Sequence, residues 1–144
     1  MRDKDLFEVY RKVLDEIEPP FQLKDILRRV VLHEAKRFYV SERFVYETIR
    51  NMLAGEEVEI QSPERRRMID DVYKKVVSQR EEYPGKVLKH IVEEVLDEPA
   101  PEFYLKVSSA KTILCNLKKR NEYIERQKME AKIQRMERRK NRRF

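Results

Sequence analysis

Two histidines, one cysteine and a scatter of carboxylates are the residues of this 144-residue chain that could do catalytic or metal chemistry. His33 and His90 fall in different predicted helices, outside any ligand spacing of the His-Glu-x-x-His kind. With Cys115 they do not complete a zinc set. Cys115 sits in the apolar run Ile113-Leu114-Cys115 and is expected to be a small buried hydrophobe, and a lone cysteine gives no disulfide framework. The carboxylates alternate with lysines and arginines at i,i+3 and i,i+4, which marks solvated helix faces rather than an acid–base pair. There is no phosphate-cradling loop and no Gly-x-Ser-x-Gly elbow. The chain reads as non-enzymatic, with no cofactor and no metal.

What remains is the chemistry of positive charge. The formal net charge is +6, but it is unevenly placed. Residues 118–144 hold 12 Lys/Arg against 4 Asp/Glu, leaving 21 against 23 in the rest of the chain. A nearly neutral body therefore carries a basic tail, and attraction to polyanions resides first in that tail. Its cleanest run places Arg138, Arg139, Lys140, Arg142 and Arg143 together, and these are the expected phosphate contacts.

The elements that must position these residues are helices. Hydrophobic content is 40%, charged content 42%, and glycine occurs only at Gly55 and Gly85, too few for the positive-φ turns of barrels or sandwiches. Helical spacing of Leu6, Val9, Tyr10, Val13, Leu14 and Ile17 predicts a helix over 4–18, stopped by Pro19-Pro20. A second helix follows from about Gln22, with Leu23, Ile26, Leu27, Val30 and Val31 on one face. Ser41 is a natural cap for a third, and Ser62-Pro63 opens a fourth that runs to about Glu82. Tyr83-Pro84-Gly85 breaks that helix before one holding Val87, Leu88, Ile91, Val92, Val95 and Leu96. After Pro99 and Pro101, a last helix starts near 106–108, with Ala110, Ile113, Leu114 and Leu117 facing inward. Beyond Leu117 strong helix formers continue without Gly or Pro, so this helix is expected to run past the body. Its apolar positions are too thin for a coiled coil.

The two halves match. Leu6, Val9, Tyr10, Lys12 and Val13 correspond to Ile69, Val72, Tyr73, Lys75 and Val76, a shift of 63. Leu23, Ile26, Val30, Ala35, Phe38 and Tyr39 correspond to Leu88, Ile91, Val95, Ala100, Phe103 and Tyr104, a shift of 65. The expected architecture is all-α, a tandem duplication of a three-helix unit (1–55 and 56–117) with a basic helical extension over 118–144. Phe38-Tyr39 and Phe103-Tyr104 are expected to fill the junctions between second and third helices.

Within residues 31–50, Ala35, Phe38, Val40-Ser41, Val45-Tyr46 and Ile49 have the spacing of a small residue, an apolar residue, a turn and a capped second helix. On those residues the stretch resembles a helix-turn-helix DNA-binding unit. The resemblance implies that Arg43, Tyr46 and Arg50 are presented to a major groove, together with Glu42 and Glu47. The chain departs from the pattern at Tyr39, where the turn usually holds glycine. In the second copy Pro99 and Pro101 interrupt the first helix, so a shared backbone ends that helix near His33.

The first reading of function is nucleic-acid binding, DNA before RNA, with helical repeats as scaffold or reader and the tail on phosphates. The alternative is a structural or adaptor protein of a phage or mobile-element assembly that meets a protein partner through its C-terminal helix. An enzyme with a site formed between protomers ranks third. No apolar run spans a bilayer and the charged N-terminus is not a signal peptide, which together predict a cytoplasmic protein without a membrane partner.

Overall fold

A computed structural model describes residues 1–20 and 22–142, and for Arg142 the backbone only. The described residues form six helices: α1 (Arg2–Glu16), α2 (Leu23–Leu32), α3 (Glu42–Leu53), α4 (Pro63–Glu82), α5 (Leu88–Asp97) and α6 (Val107–Arg142). The all-α expectation holds. No described helix is long and apolar enough to cross a membrane.

The helix ends follow local chemistry. Ser41 Oγ accepts from Phe44 N–H at 3.5 Å, and Ser62 Oγ accepts from Arg65 N–H at 3.3 Å with Pro63 behind it, each satisfying an amide that a helix start leaves unpaired. Asp3 and Asp5 occupy the first turn of α1, where the helix dipole favours negative charge. α2 ends at Leu32, close to where the proline-bracketed second half said it would.

Every helix of the body buries one apolar stripe. Leu6, Val9 and Val13 of α1, Ile26, Leu27, Val30 and Val31 of α2, and Val45 and Ile49 of α3 are buried. So are Met68, Ile69, Val72 and Val76 of α4, Ile91, Val92, Val95 and Leu96 of α5, and Ala110 and Leu114 of α6. They form one continuous core.

The partners of those stripes are less obvious. α1 packs on α2, and α4 on α5, as neighbours in sequence should. α3 packs on α4 and α5, whereas α6 packs on α1 and α2. Each pair of helices is closed by the third helix of the other half.

The segments 33–41 and 98–106 carry the chain across. Ala35 and Ala100 exchange two backbone hydrogen bonds, both 2.9 Å, in an isolated antiparallel bridge. Phe38 N–H donates to Leu96 C=O and Phe103 N–H to Val31 C=O, both at 3.0 Å. The side chains cross in the same way. Phe38 stacks on Tyr104 with ring centroids 6.1 Å apart, and Tyr39 on Phe103 at 6.3 Å. Phe38, Phe103 and Tyr104 are buried and Tyr39 half-buried, in keeping with the expectation that the Phe-Tyr pairs fill junctions.

Polar groups pin the crossing. Asp5, buried in α1, accepts from Lys36 N–H at 3.0 Å and from Tyr39 O–H at 2.8 Å. On the other side Tyr104 O–H donates to Asp71 at 2.6 Å. Burial, followed by the Asp5 hydrogen bond, pushes the Tyr39 phenol up to about 12, and burial and Asp71 raise Tyr104 further. Asp5→Ala leaves both donors without a partner at the edge of the core. Urea unfolding should register a loss of about 1–3 kcal/mol, and a loss below the precision of the measurement would assign the pinning elsewhere.

Candidate nucleic-acid interface

The sequence points to two sets of cations, and the fold places them on different helices. Arg43, Tyr46 and Arg50 lie on α3, whereas Arg138, Arg139 and Lys140 lie near the end of α6. α3 and α6 make no helix–helix contact among the described residues. Arg142 continues the α6 backbone, its side chain lies outside the described residues, and Arg143 lies outside them altogether.

On α3 the cations are partly spoken for. Arg43 Nε pairs with Glu47 at 3.3 Å one turn along, and the Arg50 guanidinium lies 5.9 Å from the centroid of the Tyr46 ring. Arg43 is 89% exposed in its side chain, so the pair with Glu47 is worth little against water and is easily exchanged. Glu42, Arg43 and Tyr46 face Lys89, Val92 and Glu93 of α5 across a shallow groove of about 410 Å³. Two carboxylates and two cations share that groove, so its field is mixed. The connection from α2 to α3 spans residues 33–41, and Ala35 stands in the bridge to Ala100 rather than in a helix.

The α6 cations sit differently. After Leu114 and the half-buried Leu117 the helix leaves the body, and every described side chain from Lys118 to Asn141 is exposed. At 1.5 Å per residue the exposed part is about 35 Å long. None of its Lys and Arg residues makes an ion pair among the described residues, and Glu122, Glu125, Glu130 and Glu137 are equally free of them. Gln127 Nε2 donates to Tyr123 Oη there at 3.0 Å. Tyr123, Ile124, Met129, Ile133 and Met136 are exposed as well. Among the described residues, the tail is a basic helix with a few apolar side chains and no other helix packed against it beyond the body.

Comparison with family models, with curated proteins and with solved structures returned no match. The functional reading therefore rests on residues and geometry alone.

The remaining chemistry-bearing residues lie apart from one another. His33 stands at the C-cap of α2, its backbone N–H donating to Val30 C=O and its Nδ1 lying 2.8 Å from the Glu34 carbonyl, and His90 lies on the α5 surface with Nδ1 3.6 Å from Glu93. No group of three or more His, Cys, Asp or Glu among the described residues could hold a metal ion. Cys115 corrects the sequence expectation: it is exposed, not buried. The buried face of α6 runs through Ala110 and Leu114, with Ile113 and Leu117 beside them, and residue 115 is turned about 100° past Leu114.

A second concavity, about 650 Å³, opens over the aromatic crossing, floored by Tyr39, Phe103 and Tyr104 and rimmed by Arg2, Arg65 and Lys106. Glu59 and Glu64 line it too, and they offset most of that positive charge. Sequence reasoning did not single out Arg65 or Lys106. The available signal was that both stand at helix starts, Arg65 just after Ser62-Pro63 and Lys106 just before Val107.

Proposed function

We propose that this is a non-enzymatic nucleic-acid-binding protein, DNA being the favoured target. Its body is a tandem duplication of a three-helix unit, and its basic C-terminal helix clamps phosphates. The observation that supports this is the α6 tail: a long helix that leaves the body with cations that make no ion pair among the described residues. A helix so exposed cannot be maintained for the sake of the core. Charges left without counter-charges are what a polyanion recognises, through release of the ions condensed on its phosphates. Arg138, Arg139, Lys140, Arg142 and Arg143 act as phosphate contacts, and Arg43, Tyr46 and Arg50 are secondary groove contacts of α3. A cytoplasmic location goes with this reading.

Fluorescence anisotropy with a random duplex DNA, at two salt concentrations, tests it. Full-length protein should bind with a steep salt dependence, and a chain ending at Leu117 should bind at least about tenfold more weakly at low salt, given the several phosphate contacts removed. Equal binding by the two chains, or none by either, rejects the tail as the clamp. Arg43→Ala with Arg50→Ala addresses α3 separately: an unchanged sequence preference removes it as a reader.

One observation favours the adaptor reading as the alternative. Met129, Ile133 and Met136 are exposed at i, i+4 and i+7, a short stripe of the kind that seats on a partner helix. Under that reading a protein of a phage or mobile-element assembly, rather than a nucleic acid, covers the tail.

A further inference from the structure

The unbroken helical backbone from Val107 to Arg142 allows the tail's charges to be sorted by face. At about 100° per residue, Lys128, Lys132, Arg135 and Arg139 fall in one sector about 60° wide. Glu122, Glu130 and Glu137 fall in another, its centre about 160° away. Met129, Ile133 and Met136 lie between the two, nearer the glutamates. Glu125 is the exception, at the body end of the cationic sector. Lys128, Lys132, Arg135 and Arg139 therefore share one side of the helix, while Lys119, Arg126 and Lys140 fall among the glutamates on the other. The run from Arg138 to Arg143, prominent in the sequence, winds around all sides of it.

We infer that the tail engages double-stranded nucleic acid by laying the stripe Lys128, Lys132, Arg135 and Arg139 along one phosphate backbone, without entering the groove to read bases. The inference rests on the nucleic-acid reading above and deepens it. Three features select this mode. The stripe is about 16 Å long at 1.5 Å per residue, the axial reach of about five base pairs. A helix wedged in a major groove has phosphates on both flanks, and there Glu130 and Glu137 would meet one wall. Lying along a single backbone with the stripe inward keeps all four cations on phosphates and turns Glu122, Glu130 and Glu137 to water, leaving only Glu125 near the contact. Tyr123 is the one aromatic side chain on the described part of the tail, so the ladder of stacking rings that holds single strands is missing. The same carboxylates sit beside the apolar stripe, which is unfavourable for an anionic bilayer.

The experiment uses full-length protein and a fluorescent 20-base-pair duplex of random sequence, with affinity followed from low to moderate salt. One variant carries Lys128→Gln, Lys132→Gln, Arg135→Gln and Arg139→Gln. A charge-matched control carries Lys118→Gln, Lys119→Gln, Arg120→Gln and Arg126→Gln, outside the stripe. Glutamine keeps helix propensity, and circular dichroism checks that both helices persist. The stripe variant should lose at least tenfold in affinity at low salt, and its log–log salt slope should shrink by about 3.6, the value for four phosphates. The control should stay within about threefold, with a slope closer to that of the unchanged protein. Equal losses in the two variants overturn the stripe while leaving nucleic-acid binding intact. Tighter binding of the unchanged protein to a single strand of the same length overturns the duplex assignment. Binding to phosphatidylserine vesicles but to no nucleic acid overturns the inference together with the function it rests on.

Discussion

Phe38→Ala should cost about 3–5 kcal/mol of folding stability, the range for removing a fully buried aromatic ring. Phe38 is 0% exposed, stacks on Tyr104 of the other half and lies beneath the Lys75 ammonium at 5.4 Å. It sits where the two crossing segments meet, so the cavity cannot be closed by the movement of one helix alone. Because a domain of this size has only about 5–15 kcal/mol in total, most of the margin would go. Urea denaturation followed at 222 nm measures it. Phe38→Leu fills much of the same volume and should cost less than about 1.5 kcal/mol. An alanine variant as stable as the leucine variant would show that the ring does not hold the crossing.

The second large effect concerns the two halves as separate chains. Residues 1–58 contain α1, α2 and α3, but α1 and α2 are covered by α6, and α3 covers α4 and α5. Cut in the connection between α3 and α4, each fragment keeps a helix pair with its apolar stripes open, plus a third helix whose own partners are gone. A domain of about 60 residues is already marginal, and each fragment lacks the helix that covers its pair. Each should therefore show weak helicity and no cooperative melting when dilute. Mixing 1–58 with 59–144 should restore a cooperative transition whose midpoint rises with concentration, as expected when folding and association are one event. A sharp, concentration-independent melt for either fragment alone would mean that its third helix can fold back onto its own pair.

The helix boundaries were readable because they depend on local chemistry. Pro19-Pro20, Ser41, Ser62-Pro63 and Tyr83-Pro84-Gly85 each act within a few residues of where they stand. The aromatic junction was readable from Phe38-Tyr39 and Phe103-Tyr104, since large rings in a thin core have few places to go. The exchange of third helices was not. The apolar stripe of α3 fits α1 and α2 or α4 and α5 equally well as a pattern, because hydrophobic burial carries no direction. What selects the partner is the pair of extended segments around Ala35 and Ala100, which send each chain across. Asp5 was invisible for a related reason: among Arg2, Asp3 and Lys4 it looks like one more surface charge, and only the return of Lys36 and Tyr39 buries it.

For the candidate interface, the tail is legible in the sequence as a basic run, whereas the side of the helix that each charge takes needs the helix itself. Read linearly, Glu122, Glu125, Glu130 and Glu137 interleave with the cations. Wound onto a helix, Glu122, Glu130 and Glu137 lie opposite Lys128, Lys132, Arg135 and Arg139, with Lys119 and Arg126 among them. The α3 residues were legible as a surface, whereas the α5 residues opposite them were not, because nothing in residues 42–50 announces Lys89, Val92 and Glu93 as neighbours.

The exchanged helices also set an order of events during synthesis. α1 and α2 emerge first, yet the helix that closes them starts at Val107. Until that point is translated, at about 5–20 residues per second, the N-terminal pair waits for several seconds with its apolar stripe uncovered. The N-terminal pair is thus the first to be made and is closed only when a helix that starts about 75 residues later arrives, and over that interval its stripe is open to chaperones and to neighbouring chains.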